Sequence, residues 1–321
     1  MRNLLLSLLA LLTIGSTAIL AAEINAGSTI AFNRGGDIWL MEADGSNQRP
    51  WVAGITNAYG KMSWAPDNSK LVFCRMGQVS TQYPDGGMHQ HRAYDLFYAL
   101  PDSSDNWWEG ITQTLGATWP EFSAAGDKIA FVHDLEADNA QAKLPQRQIS
   151  FWDTKTFEIT NLPVPENSEL MATMPTLSPD GQRLAFMLTL LKGQQFTQLG
   201  VAIADVAEFP LSDQVLMDRA AKLSRALSPS WSPDGKWIAF VYSDMSNPGL
   251  LVVSPDLSET RVVWSPPAGL GLTGATPSWS SDSQQLLCAT VNGSIYKVNL
   301  ADGEATRISG PGNDNNPAWC N

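Results

Sequence analysis

The sequence predicts an all-β protein, a six-bladed β-propeller of four-stranded antiparallel blades. Three observations carry that prediction. A phrase related to Pro-x-Trp-Ser-Pro-Asp-Gly recurs, with aromatic or apolar anchors at Trp64, Phe122, Leu177, Trp231, Trp279 and Trp319. Each full copy reads as strand, tight turn, strand. The two ends of the chain supply complementary parts of one repeat unit.

The fullest copy runs from Pro229 through Trp231, Asp234 and Gly235 to Phe240. Pro presets φ for a turn, Asp bonds nearby backbone, and Gly or Asn accepts positive φ. Asp67, Asp180, Asp234 and Asp282 hold the turn position in four copies. The flanking runs alternate β-branched and aromatic residues, as half-buried strands do. Third strands are expected at 37–41, 95–100, 148–152, 200–204, 249–253 and 294–299. Short fourth strands, such as 261–264 and 305–308, close the units. Four strands every 40–58 residues is the period of propeller blades. The N-terminal run 29–33 lacks a first strand, which the C-terminal run 317–320 provides. Their pairing closes the ring and removes two exposed edges.

The first 22 residues read as a secretory signal peptide: Arg2, an apolar run over 4–12, then small residues to Ala22. Residues 23–321 are then a single propeller domain, periplasmic or secreted, with no membrane insertion after signal removal. The net charge of −12 excludes a nucleic-acid or anionic-membrane coat. The three Cys cannot make a disulfide scaffold and are expected as buried free thiols. Indole is used repeatedly, with twelve Trp against six Tyr. The recurring anchors are expected as wedges between blades.

The Pro-x-Trp-Ser-Pro-Asp-Gly-x-x-Ile-Ala-Phe phrase, with Asp-Ile-Trp-Leu-Met-x-Ala-Asp-Gly-Ser-Asn at 37–47, resembles the TolB-like (WD40-like) propeller repeat family. The resemblance covers 23–321. It implies a lone propeller without the α/β domain that precedes the ring in the family's namesake, whose partners are envelope proteins.

Loop lengths suggest where a ligand binds. Second-to-third connections are expected to be long loops at 76–92 and 134–147. Fourth-to-first connections are long at 162–172, 218–227, 265–274 and 310–315. Both sets emerge on one face of a four-stranded meander, and long loops on a rigid scaffold are where recognition is usually built. Candidates on this face are Tyr83, Asp85, His89, His91, Arg92, Trp107, Trp108, His133 and Asp134. The expected function is a non-catalytic, monomeric, cofactor-free module that binds a protein or cell-envelope component, or a glycan. The alternative is a metal-dependent polysaccharide lyase or hydrolase. It rests on His89, His91 and His133, with Asp85 and Asp134 able to complete a zinc or manganese site; no Lys or Arg clamp for an acidic sugar is evident, Arg75 and Arg92 being the only nearby candidates. No nucleophile elbow, phosphate loop or His-Glu-x-x-His motif is present.

Overall fold

The computed structural model describes residue 24 and residues 28–54, 57–82, 88–100, 108–137, 146–163, 168–242 and 248–320. Six antiparallel sheets succeed one another along the chain. The first holds β1 (Thr29–Arg34), β2 (Asp37–Glu42) and β3 (Arg49–Val52). The second holds β4 (Ala58–Trp64), β5 (Leu71–Gln82), β6 (Met88–Ala99) and β7 (Trp108–Gly110). The third holds β8 (Ala117–Phe122), β9 (Lys128–Asp134), β10 (Arg147–Asp153) and β11 (Ile159–Asn161). The fourth holds β12 (Leu170–Leu177), β13 (Arg183–Lys192) and β14 (Gln195–Asp205).

The fifth holds β15 (Ala226–Trp231), β16 (Ile238–Tyr242), β17 (Gly249–Val253) and β18 (Thr260–Trp264). The sixth holds β19 (Ser278–Trp279), β20 (Gln285–Ala289), β21 (Ile295–Asn299) and β22 (Ala305–Arg307). The last strand, β23 (Asp314–Trp319), joins the first sheet beside β1, with Ile30 opposite Trp319 and Arg34 opposite Asp314. The expected closure is therefore present.

Blade four departs from the four-strand pattern. Its outer strand is replaced by the helix α1 (Asp213–Lys222). Ser212 caps the helix by accepting the Val215 N–H, Asp213 sits in the first turn, and Arg219 and Lys222 sit in the last. Each choice suits the helix dipole. Leu216 and Ala220, four residues apart, form the buried face. The helix ends against β14, where the Val201 N–H donates to the Leu223 carbonyl at 3.2 Å. Gly200, at φ +133, lets that end approach. The expected loop at 218–227 is thus helical in its first part.

The anchors are wedges. Trp64, Phe122, Leu177, Trp231, Trp279 and Trp319 are all at most 7% exposed. Each packs into the preceding blade: Trp64 with Ile38 and Leu40, Phe122 with Val72 and Leu96, Leu177 with Ala130 and Ile149. Trp231 packs with Ala185 and Val201, Trp279 with Leu250 and Val252, and Trp319 with Leu287 and Ile295. Burial of such side chains stabilises by roughly 2–3 kcal/mol each.

A second inter-blade device uses the side chain of the residue before four of the wedges. Ser63 Oγ accepts the Phe122 N–H at 3.1 Å, Thr176 Oγ1 accepts the Trp231 N–H at 3.0 Å, and Ser278 Oγ accepts the Trp319 N–H at 2.9 Å. At the next junction Glu121 Oε1 accepts the Leu177 N–H at 3.1 Å and the Thr176 hydroxyl at 2.9 Å. Its other oxygen pairs with Lys61. Lys61, Ser63, Glu121 and Ser278 line an axial cavity of about 360 Å³ whose lining includes the turn residues Pro66, Pro179, Pro233 and Ser281. The cavity therefore reaches the short-turn face, opposite the long connections.

The repeated Asp residues organise the turns. Ser178, Ser232 and Ser280 each donate to the Asp two positions on, at 2.5, 2.7 and 2.6 Å. The same carboxylates accept the backbone N–H of Gln182, Lys236 and Gln284. In blade two Asp67 accepts from Ser69 instead. Cys74 and Cys288 are buried free thiols, as expected, and Cys320 is buried too.

Candidate functional site: the long-connection face of blades two to four

The connection expected as a loop over 76–92 is largely strand. β5 and β6 pair continuously, with Gln78 opposite Arg92, Val79 opposite His91, Thr81 opposite His89 and Gln82 opposite Met88. Alternation continues through Val79 and Thr81, so the chain keeps pairing until the Tyr83-Pro-Asp-Gly-Gly turn sequence. The result is a two-stranded ribbon standing above the blade. A second ribbon rises from blade four, where Lys192 lies opposite Gln195. Blade three, with its 134–147 connection, lies between them. By contrast blade one turns directly from Arg34 to Asp37. The face is thus walled on one side.

At the foot of the first ribbon three aromatic rings meet across the boundary between blades two and three. Tyr59 lies 5.4 Å from Tyr94 in a tilted contact and 5.7 Å from Trp119 edge-on. Tyr59 is 43% exposed. Burial pushes the Tyr59 hydroxyl above its ordinary pKa, with help from Tyr94, while the charges of Arg147 and Arg92 act in the opposite direction. Both guanidiniums are therefore within electrostatic range of the Tyr59 hydroxyl. Gly60, at φ +69, sits under the Trp119 ring, 3.6 Å from where a Cβ would stand.

Of the sequence candidates, Arg92 is exposed on β6 directly across from Gln78. His133 ends up against polar neighbours: its Nδ1 is 3.3 Å from Asn161 Oδ1 and 3.4 Å from Ser150 Oγ, and its ring contacts Phe131. Asp134 braces the base of its own connection, accepting the Glu136 and Gln146 N–H groups and pairing with Arg147 at 3.6 Å. His89 and His91 occupy alternate positions of β6, and Trp108 opens β7. The side chains of these three lie outside the described residues, as do Tyr83, Asp85 and Trp107. Among the described residues no group of three or more His, Cys, Asp or Glu is placed to hold a metal ion.

Sequence reasoning missed Tyr59, Tyr94, Trp119 and Arg147. One signal was available. Three residues before each anchor stand Lys61, Trp119, Met174, Ser228, Thr276 and Asn316, so Trp119 is the sole indole at that repeat position. An aromatic residue appearing once where the repeat has none is free of the repeat's packing role.

The closed ring, its wedges and its one-sided ribbons define a six-bladed β-propeller of the TolB-like type. It aligns with TolB of Acinetobacter baumannii at a TM-score of 0.61 and 18% identity, over 91% of this chain and 66% of that one. A TolB candidate from Agrobacterium tumefaciens aligns at 0.57 and 14%, over 89% and 90% of the two chains. The propeller domain of Cps50 (Swd1) from Myceliophthora thermophila aligns at 0.51 and 12%, over 89% and 84%. At these identities the likeness is one of fold. The chain spans 66% of the length of the Acinetobacter structure. No family model and no curated protein sequence matches it. Among the described residues no helix is long and apolar enough to cross a membrane.

Proposed function

We propose that the chain is an exported, non-catalytic propeller that acts as a protein-binding or scaffold module in the cell envelope. It engages a protein or envelope component through the long-connection face. The observation that carries this reading is the Tyr59–Tyr94–Trp119 group at the foot of the ribbon, with Tyr59 exposed and the charges of Arg92 and Arg147 acting on it. Aromatic residues and Arg are the types that concentrate binding energy at interface centres. The export pattern of residues 1–22 and the TolB-like fold support the envelope setting.

The test is chemical cross-linking of the tagged chain in intact cells of its own source. Tyr59→Ala with Trp119→Ala removes the adduct, and the circular dichroism of the purified variant matches the parent. A loss of about 2 kcal/mol or more per ring, roughly thirtyfold in affinity, is the scale expected of such anchors. Adducts that persist in the double variant overturn the assignment of this face.

A further inference from the structure

Among the described residues the ribbon leaves one strand edge unpaired, and that edge suits the addition of another strand. β4 covers β5 only as far as Ala58 opposite Arg75, after which the Met76 N–H donates to the Asn57 carbonyl at 2.9 Å. Beyond this point no described strand pairs with that edge, while β5 runs on to Gln82. In an antiparallel pair the N–H and C=O of alternate residues point to opposite edges. Met76 points to the β4 side, so Gln78, Ser80 and Gln82 do too. Gln78 and Ser80 are exposed. Natural edges are normally blunted by Lys, Pro, bulges or other charges. The segment Gly77-Gln78-Val79-Ser80-Thr81-Gln82 contains none of the charged or proline blockers and pairs with β6 without a register shift. The opposite edge, on β6, differs: it carries Arg92 and is partly covered where the Tyr94 N–H donates to the Leu115 carbonyl at 2.8 Å.

We propose that the β5 edge from Gly77 to Gln82 binds an extended, acidic polypeptide segment of a partner protein by strand addition, continuing the line of β4. This rests on the long-connection face being the binding face. Charge selects the occupant. Arg92 is exposed on β6 opposite Gln78, so the two side chains share one face of the ribbon, in a chain whose net charge is −12. An acidic strand laid beside Gln78 brings its carboxylates to the face that holds this guanidinium. Main-chain bonds supply affinity in this mode, and side chains supply selection.

The probe is a fluorescent peptide of alternating Glu and Val, eight residues long, with a Lys-Val counterpart, followed by anisotropy on the whole protein. The acidic peptide binds, and the basic one binds at least about tenfold more weakly, a difference of about 1.4 kcal/mol. Binding protects the Gln78 and Ser80 amides from hydrogen exchange in the unmodified protein. Ser80→Ala leaves affinity unchanged because the contact is through backbone. Ser80→Pro, which removes an N–H that β6 does not use, lowers affinity at least about tenfold. The proposal is overturned by the absence of any anisotropy change up to about 1 mM acidic peptide, by equal binding of the basic peptide, or by protection elsewhere than β5. Concentration-dependent dimerisation abolished by Ser80→Pro also overturns it, since a second copy then holds the edge. If Trp119→Ala loses the cellular adduct and the β5 edge shows no protection, the face stands and strand addition fails.

Discussion

Arg34 and Asp314, 280 positions apart, clasp the two ends of the chain: Nε donates to Oδ1 at 2.6 Å and a terminal N–H donates to Oδ2 at 2.7 Å. Asp314 is 2% exposed, and Arg34 also lies over the Phe32 and Trp39 rings. Hydrogen bonding to Asp314 raises the Arg34 pKa above its ordinary value. Removing Arg34 leaves the 2% exposed Asp314 carboxylate unpaired. Arg34→Ala is expected to cost about 3 kcal/mol in urea unfolding. Replacing both by apolar residues recovers much of that loss. A double variant no more stable than the single one would show that the pair does not act as a unit.

Glu121 ties three blades through Lys61, the Thr176 hydroxyl and the Leu177 N–H. Glu121→Ala strands all three groups and is expected to cost about 3 kcal/mol. Glu121→Gln keeps an acceptor for the N–H and costs less. Equal midpoints for the two variants in denaturant would remove the hydrogen bonds from the explanation.

Gly200 has no room for a side chain, because a Cβ would overlap the Leu223 and Ala220 carbonyls at the end of α1. Gly200→Ala combines that overlap with an unfavourable φ of +133. It is expected to destabilise by about 3 kcal/mol and to loosen α1 specifically. Helical signal lost before the β signal on heating is the diagnostic result.

The turn carboxylates make stability acid-sensitive. Hydroxyl donation from Ser69, Ser178 and Ser280 holds Asp67, Asp180 and Asp282 below the ordinary carboxylate range, and donation from Ser254 takes Asp256 to about 2. Depressed folded-state values mean that the stabilisation is complete above the unfolded pKa of about 3.9 and is lost as pH falls through the folded values. The melting temperature should therefore be flat above about pH 5 and fall steeply towards pH 2. Ser178→Ala with Ser280→Ala shallows that fall; an unchanged slope refutes the assignment.

Burial pushes the Cys74 thiol well above its ordinary pKa and raises that of Cys288. Cys320 is also fully buried. No thiol should react with an aromatic disulfide reagent at neutral pH in the folded protein, and all three should react once it is unfolded. Rapid reaction of any of them under native conditions contradicts this packing.

Repetition made the ring legible. Six anchors, the Asp turns and the complementary ends needed only local chemistry and counting, because a blade is a local meander whose contacts lie within about 50 residues. The Ser residues that brace the turns were visible in the same phrase. The site was less legible. The ribbon read as a loop, because its alternation rests on Val79 and Thr81 alone, set among Gly77 and polar residues. Helix α1 read as a connection, because its ten residues bury only Leu216 and Ala220.

The sequence by itself determined the number of blades, the wedge residues and the way the ring closes, since each follows from a periodic pattern that needs no distant partner to interpret. Tertiary structure alone decided that Tyr59, Tyr94 and Trp119 meet, that Arg34 finds Asp314, and that β4 pairs with β5 only as far as Ala58 opposite Arg75. These are relations between blades or between chain ends. They depend on where neighbouring strands stop, which no single segment encodes.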